Sequence, residues 1–140
     1  MKTEIIAEIG QNHNGDMRVA EQLIKIAKDS GADVAKFQLY DAKALFPPKS
    51  KNPWFEYNCL TELAKDDVYR LAEYCYKVGI EFMASVFDIE RIDWLEDVDV
   101  KRYKIASRSV ADKNLIREVV ATGKPIVVSL GMWTDNEFPK

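Results

Sequence analysis

Five short apolar runs alternate with amphipathic stretches along the chain, and that alternation admits few folds. The runs are TEIIAEIG (3–10), DVAKFQLY (33–40), IEFMASVF (80–87), KRYKIAS (101–107) and PIVVSLG (125–131). Their length and their β-branched and aromatic content suit strands. After the first run, MRVAEQLIKIAKDSG (17–31) sets Met17, Ala20, Leu23, Ile24 and Ala27 at spacings of three and four, on one face of a helix. Asp16 is its expected N-cap and Gly31 its stop. A second helix is expected from Asp66 or Asp67 to Lys77, with Val68, Leu71, Ala72 and Cys75 inward and Gly79 as its end. DIERIDWLEDV (88–98) predicts a short helix capped by Asp88, and DKNLIREVVATG (112–123) one stopped by Gly123. The stretch between, DAKALFPPKSKNPWFEYNCLTELA (41–64), reads as a long connection, because Pro47, Pro48 and Pro53 forbid a continuous helix.

Strands that alternate with helices form a parallel sheet covered by helices, so the fold class is α/β. Two architectures fit: an open, flavodoxin-like sheet, or the first part of an eight-stranded barrel, which takes ~250 residues. The last residues bear on the choice. Thr134-x-x-Glu137 is a capping-box pattern, and only three residues follow it, so the chain is expected to be cut from something longer. No break in composition suggests a second domain within residues 1–140. The formal net charge of −3 and the scattered basic residues argue against a nucleic-acid partner. The aromatics of WFEYNC (54–59) have no basic stripe beside them and read as packing. No apolar stretch reaches the roughly 20 residues of a membrane span, and MKTEIIAEIG lacks a signal-peptide pattern. Cys59 and Cys75 have neither metal nor redox spacing, so reduced thiols and a cytoplasmic protein are expected.

Ligands in parallel α/β folds bind outside the carboxyl ends of the strands. Every strand here ends in a polar or charged residue. The first delivers Glu8, the second Lys36 and Gln38, and the third Ser85. The fourth delivers Lys104 and Ser107, and the fifth Ser129. Lys36 and Gln38 are two apart and therefore share a face. A charge set against a strand core is costly unless paired, so this convergence reads as a site. Lysines with hydroxyls suit a phosphate or carboxylate ligand, and the glutamate suits proton or water handling. His13, the sole histidine, sits in an Asn/Gly turn with no second histidine to share a metal, and reads as a turn or packing residue.

IIAEIGQNHNGD, GADVAKFQLY, FMASVF, YKIAS and GKPIVVSLGM, taken in order, resemble the successive strand-end motifs of the sialic acid synthase family. The resemblance runs through essentially the whole chain. It implies a partial TIM barrel, about five strands and four helices of a (β/α)8 catalytic domain. It also implies the reaction. The methylene carbon of phosphoenolpyruvate attacks the aldehyde of an open-chain N-acetylated amino sugar such as N-acetylmannosamine, water adds to the former enol carbon, and phosphate leaves. A divalent metal, Mn2+ or Mg2+, polarises the aldehyde in that family. By position, Lys36 matches a phosphoenolpyruvate contact, and Lys104, Ser107 and Ser129 match further phosphate and carboxylate contacts. Ser85 stands where threonine is more usual, Gln38 matches a sugar contact, and Glu8 matches the acid beside the reacting carbons. Both metal-binding histidines of the family lie on later strands, so no metal ligand is expected within these residues. The chain departs from the family at Ser107-Arg108-Ser109, where Ser-Gly-Glu is common, at Val86, where Pro is common, and at Leu130, where Thr is usual before Gly131-Met132. Two alternatives stand beside the enzyme: a non-catalytic module binding a phosphorylated or acidic ligand, and a half barrel that self-assembles through open strand edges. A homo-oligomer is expected.

Overall fold

The computed structural model describes residues 3–45 and 53–131. All five strands form where expected, as β1 (Ile6–Gly10), β2 (Val34–Leu39), β3 (Glu81–Val86), β4 (Tyr103–Ile105) and β5 (Ile126–Val128). The four expected helices are α1 (Met17–Asp29), α4 (Lys65–Val78), α5 (Glu90–Asp97) and α6 (Lys113–Ala121). Asp16 caps α1 by accepting the Arg18 N–H, and Asp112 caps α6 through the N–H groups of Asn114 and Leu115. Asp88 caps α5: its carboxylate accepts the Arg91 N–H at 3.1 Å, and Ile89 between them already has helical φ −72° and ψ −39°. The pattern Thr134-x-x-Glu137 and the prolines Pro47 and Pro48 lie outside the described residues.

The connection between β2 and α4 is more ordered than the sequence predicts. It carries α2 (Ala42–Leu45) and α3 (Phe55–Leu60), either side of the proline-rich run. Both are too short for hydrophobic periodicity to reveal. The end of the connection is anchored by Glu62, whose carboxylate accepts the Ala42 N–H at 3.0 Å and the buried Arg91 guanidinium at 2.9 Å. Arg91 also pairs with Asp88 at 2.9 Å and stacks over the Trp94 ring.

The strand order decides between the two architectures. All pairings are parallel and the order is β1-β2-β3-β4-β5. A flavodoxin-like sheet reverses direction after its first crossover, whereas consecutive order steps one way only, as staves of a barrel do. Crossovers of one hand stepping one way put every connecting helix on the same face. That face holds the core: Ala35, Phe37, Leu39, Phe82, Ala84, Val86, Tyr103 and Ile105 meet Ile24, Leu71, Cys75, Leu95, Leu115 and Val119 of the helices. The alternate strand residues point the other way. They include Glu8, Lys36, Gln38, Ser85 and Lys104.

That second face is also charged at the starts of its strands. Arg102, two residues before Lys104, donates twice to Glu81 at 2.7 and 2.8 Å and twice to Glu4 at 2.6 and 2.5 Å. The cluster joins the segment entering β1 to the starts of β3 and β4. Arg102→Met leaves the poorly exposed Glu81 carboxylate without its guanidinium and is expected to cost about 2 kcal/mol, read by chemical denaturation. A loss within error would show that water replaces the pair.

Candidate active site at the strand ends

Parallel registry sets the site. Glu8 stands opposite Lys36, Gln38 opposite Ser85, and Ser85 opposite Lys104. Facing residues in adjacent strands share a side of the sheet, so one polar band crosses β1 to β4. Lys36 is 7% exposed, and its ammonium forms an ion pair with the Glu8 carboxylate. An ammonium that far from water needs this partner or an anionic ligand. Glu8 itself is exposed and bends back over bare Gly10: a Cβ there would sit 3.3 Å from Glu8 Oε1 and 3.5 Å from Gln38 Nε2. Glu8, Lys36 and Gln38 therefore meet at one point above β1 and β2.

The second cation lies across the band. Lys104 Nζ donates to Ser129 Oγ at 2.5 Å and to the Ile105 carbonyl at 2.7 Å. Burial pushes its pKa below the ordinary lysine value, and the like charge of Lys36 pushes the same way, while Glu8 opposes both. Both neighbours that Lys104 donates to are neutral. An anion bridging Lys36 and Lys104 would relieve both. Ser107 stands apart from these contacts, on a single 3-10 turn (Ser107–Ser109) leaving β4. Its Oγ lies 3.4 Å from where a Gly131 Cβ would be, which brings that turn beside the end of β5.

His13 takes no part in this band. It is buried, its Nδ1 accepts the Gly15 N–H at 3.1 Å, and its ring packs 6.3 Å from that of Phe37. Burial lowers its pKa from 6.5, against a weaker pull from Asp67. The sign follows: below pH 6.5 the unfolded imidazole takes up a proton that folded His13 refuses, so stability is full above that pH and falls as the pH drops. His13→Gln is expected to flatten thermal stability between about pH 6.5 and 5, while the unsubstituted protein loses it there. Parallel curves for the two proteins would remove His13 from the account.

Sequence reasoning missed a buried polar network beside the site. The Gln11 side-chain amide lies 2.5 Å from the Tyr40 hydroxyl, 2.8 Å from Asn58 Oδ1 and 3.0 Å from Thr61 Oγ1. Tyr40 Oη in turn lies 3.1 Å from the Asn58 carbonyl and 2.8 Å from Thr61 Oγ1. Tyr57 donates to the Gln11 carbonyl and to Asn14 Oδ1, both at 3.1 Å. The turn after β1 thus holds α3, whose last carbonyl comes so close to Gly15 that a Cβ there would lie 2.5 Å from Leu60 O. The hint lay in the turn itself, whose Gln11, Asn12 and Asn14 exceed what reversing the chain requires.

A cavity of about 530 Å3, lined in part by Glu4, Asp33, Glu81 and Lys101, opens at the starts of the strands. It lies at the wrong end of the sheet to involve the polar band. Among the described residues, no three His, Cys, Asp or Glu side chains converge to hold a metal ion, and no helix is long and apolar enough to cross a membrane.

Known proteins resemble the chain in sequence and in fold. The chain is 37% identical over 141 residues to N,N'-diacetyllegionaminic acid synthase of Legionella pneumophila, covering 91% of this chain and 39% of that protein. It is 37% identical over 139 residues to human N-acetylneuraminate-9-phosphate synthase, again 91% of this chain and 39% of that one. The crystal structure of an N-acetylneuraminic acid (sialic acid) synthetase from Leptospira borgpetersenii in complex with citrate superposes with a TM-score of 0.91 at 29% identity, covering 98% of this chain and 47% of that one. The chain thus spans about two-fifths of the length of these curated relatives. The NeuB family model matches residues 23–140, and the chain is a member of the NeuB family.

Proposed function

We propose that the full-length gene product condenses phosphoenolpyruvate with an N-acetylated amino sugar, such as N-acetylmannosamine, to a nonulosonic acid and phosphate. One observation carries the reading: a buried and a half-buried lysine, with hydroxyls and the Glu8 carboxylate, lie on one side of a barrel-type sheet, at the ends of its strands. Phosphoenolpyruvate is a compact polyanion, and Lys36 and Lys104, with Ser85, Ser107 and Ser129, are its contacts in this reading. Gln38 is the amide that meets a sugar hydroxyl or N-acetyl group. Glu8 stands beside the carbons that react. There a carboxylate opposes the positive charge that develops at the former enol carbon and orients the water that adds to it. The carbon–carbon bond forms from the enol methylene to the aldehyde carbon. The aldehyde oxygen takes a proton and becomes a hydroxyl, water adds to the former enol carbon, and as the C–O bond to phosphate breaks the water-derived hydroxyl loses its proton to become the keto oxygen of the product.

A divalent metal would supply Lewis-acid activation of the aldehyde. The described residues do not fit one, because no three candidate ligands converge and His13 is buried with its Nδ1 engaged. No step is therefore assigned to it here.

Phosphate release from phosphoenolpyruvate tests the reading. The full-length gene product, supplied with Mn2+ and a panel of N-acetylated amino sugars, is expected to release phosphate only when a sugar is present. Release absent across the panel would sink it.

A further inference from the structure

The polar band has two unlike halves. Lys104, Ser129 and Ser85 occupy β3 to β5, with the cationic and hydroxyl character an anion needs. Glu8 and Gln38 stand at the ends of β1 and β2, beside the one buried ammonium that already has a carboxylate partner. A neutral polyol with an amide substituent fits Glu8 and Gln38, since the carboxylate would repel a second anion there, while the Lys36 ammonium stands at the boundary with the anion-binding half. Helix α3 is bound to the segments that follow these two strand ends. It is tied to Gln11, three residues past Glu8, and to Tyr40, two residues past Gln38.

We propose that Gln11 is a positioning residue for the amino-sugar acceptor: it fixes α3 as a rigid wall beside Glu8 and Gln38. The inference rests on the synthase reading above. Gln11 is suited to the task because one amide nitrogen faces three acceptors from two elements, Tyr40 leaving β2 and Asn58 and Thr61 of the α3 region. It has two N–H bonds for three oxygens, so they are shared, and tilting α3 in either direction weakens at least one of them. Tyr40, Asn58 and Thr61 are each buried, so water does not replace a lost partner freely. Gln11 thus acts on the substrate through a helix it holds.

The test is steady-state kinetics of Gln11→Ala in the full-length gene product, with hydrogen exchange at residues 55–60. The expected result is a KM for the sugar raised about tenfold, a KM for phosphoenolpyruvate changed less than about twofold, and faster exchange in α3. Tyr57→Phe removes one hydroxyl from the same network with little demand on folding, and is expected to show the same split at smaller size. Arg102→Met, at the far end of the sheet, weakens the protein without touching α3 and should show no split. If both KM values rise together in Gln11→Ala, as in Arg102→Met, or if neither moves, the positioning role is overturned while the synthase reading stands. If the unsubstituted protein shows no sugar-dependent turnover, the reading beneath it falls and the proposal falls with it.

Discussion

Lys36→Met is expected to lower the affinity for phosphoenolpyruvate about 100-fold, roughly 2.8 kcal/mol, while leaving the fold as stable as before. The two halves of that expectation come from different places. Affinity falls because the ammonium is buried, so its bond to an anion is made with little competition from water. Stability holds because methionine fills much the same space without a charge to desolvate, and because Glu8, left alone, is exposed enough to stay hydrated. A buried ion pair that can be replaced without loss is kept for what the site binds. Calorimetric titration with phosphoenolpyruvate and thermal denaturation of the full-length gene product give the two numbers. Unchanged affinity would refute the assignment of Lys36, and a large loss of stability would make the pair a structural one.

Gly15→Ala reverses that pattern, with an expected loss of about 3 kcal/mol of stability. Gly15 has φ +78°, where a side chain is strained, and its Cβ would lie 2.5 Å from the Leu60 carbonyl oxygen. That oxygen belongs to backbone and cannot swing aside as a side chain does. Either the turn or α3 must move, and movement of α3 breaks its bonds to Gln11. Denaturation should report the loss and hydrogen exchange should place it at residues 55–60. A cost below 1 kcal/mol would mean that α3 shifts without penalty.

Both expectations depend on features that differed in how readable they were. The strands and the four longer helices were legible because each repeats one short pattern, and Asp16, Gly79 and Asp112 mark ends that local chemistry alone explains. Asp88 is legible in the same way, since its carboxylate accepts the Arg91 N–H of the first turn. The choice between barrel and open sheet stayed open from periodicity, because strand order is a property of crossovers and leaves no mark on side-chain spacing. The polar strand ends were visible one at a time. That Gln38, Ser85 and Lys104 face one another is registry, which only pairing reveals. The Gln11 network was hidden more deeply. Its partners lie 29 to 50 residues away, on helices or strand ends that no local pattern links to the turn.

The consecutive order of the sheet has a consequence for how the chain is made. Each strand pairs with the one synthesised just before it, so a strand leaving the ribosome finds its neighbour already in place. Growth by addition at one edge keeps loop closures short and avoids waiting for a distant segment. Arrested nascent chains are therefore expected to gain protease resistance in steps, each one as a further strand clears the exit tunnel.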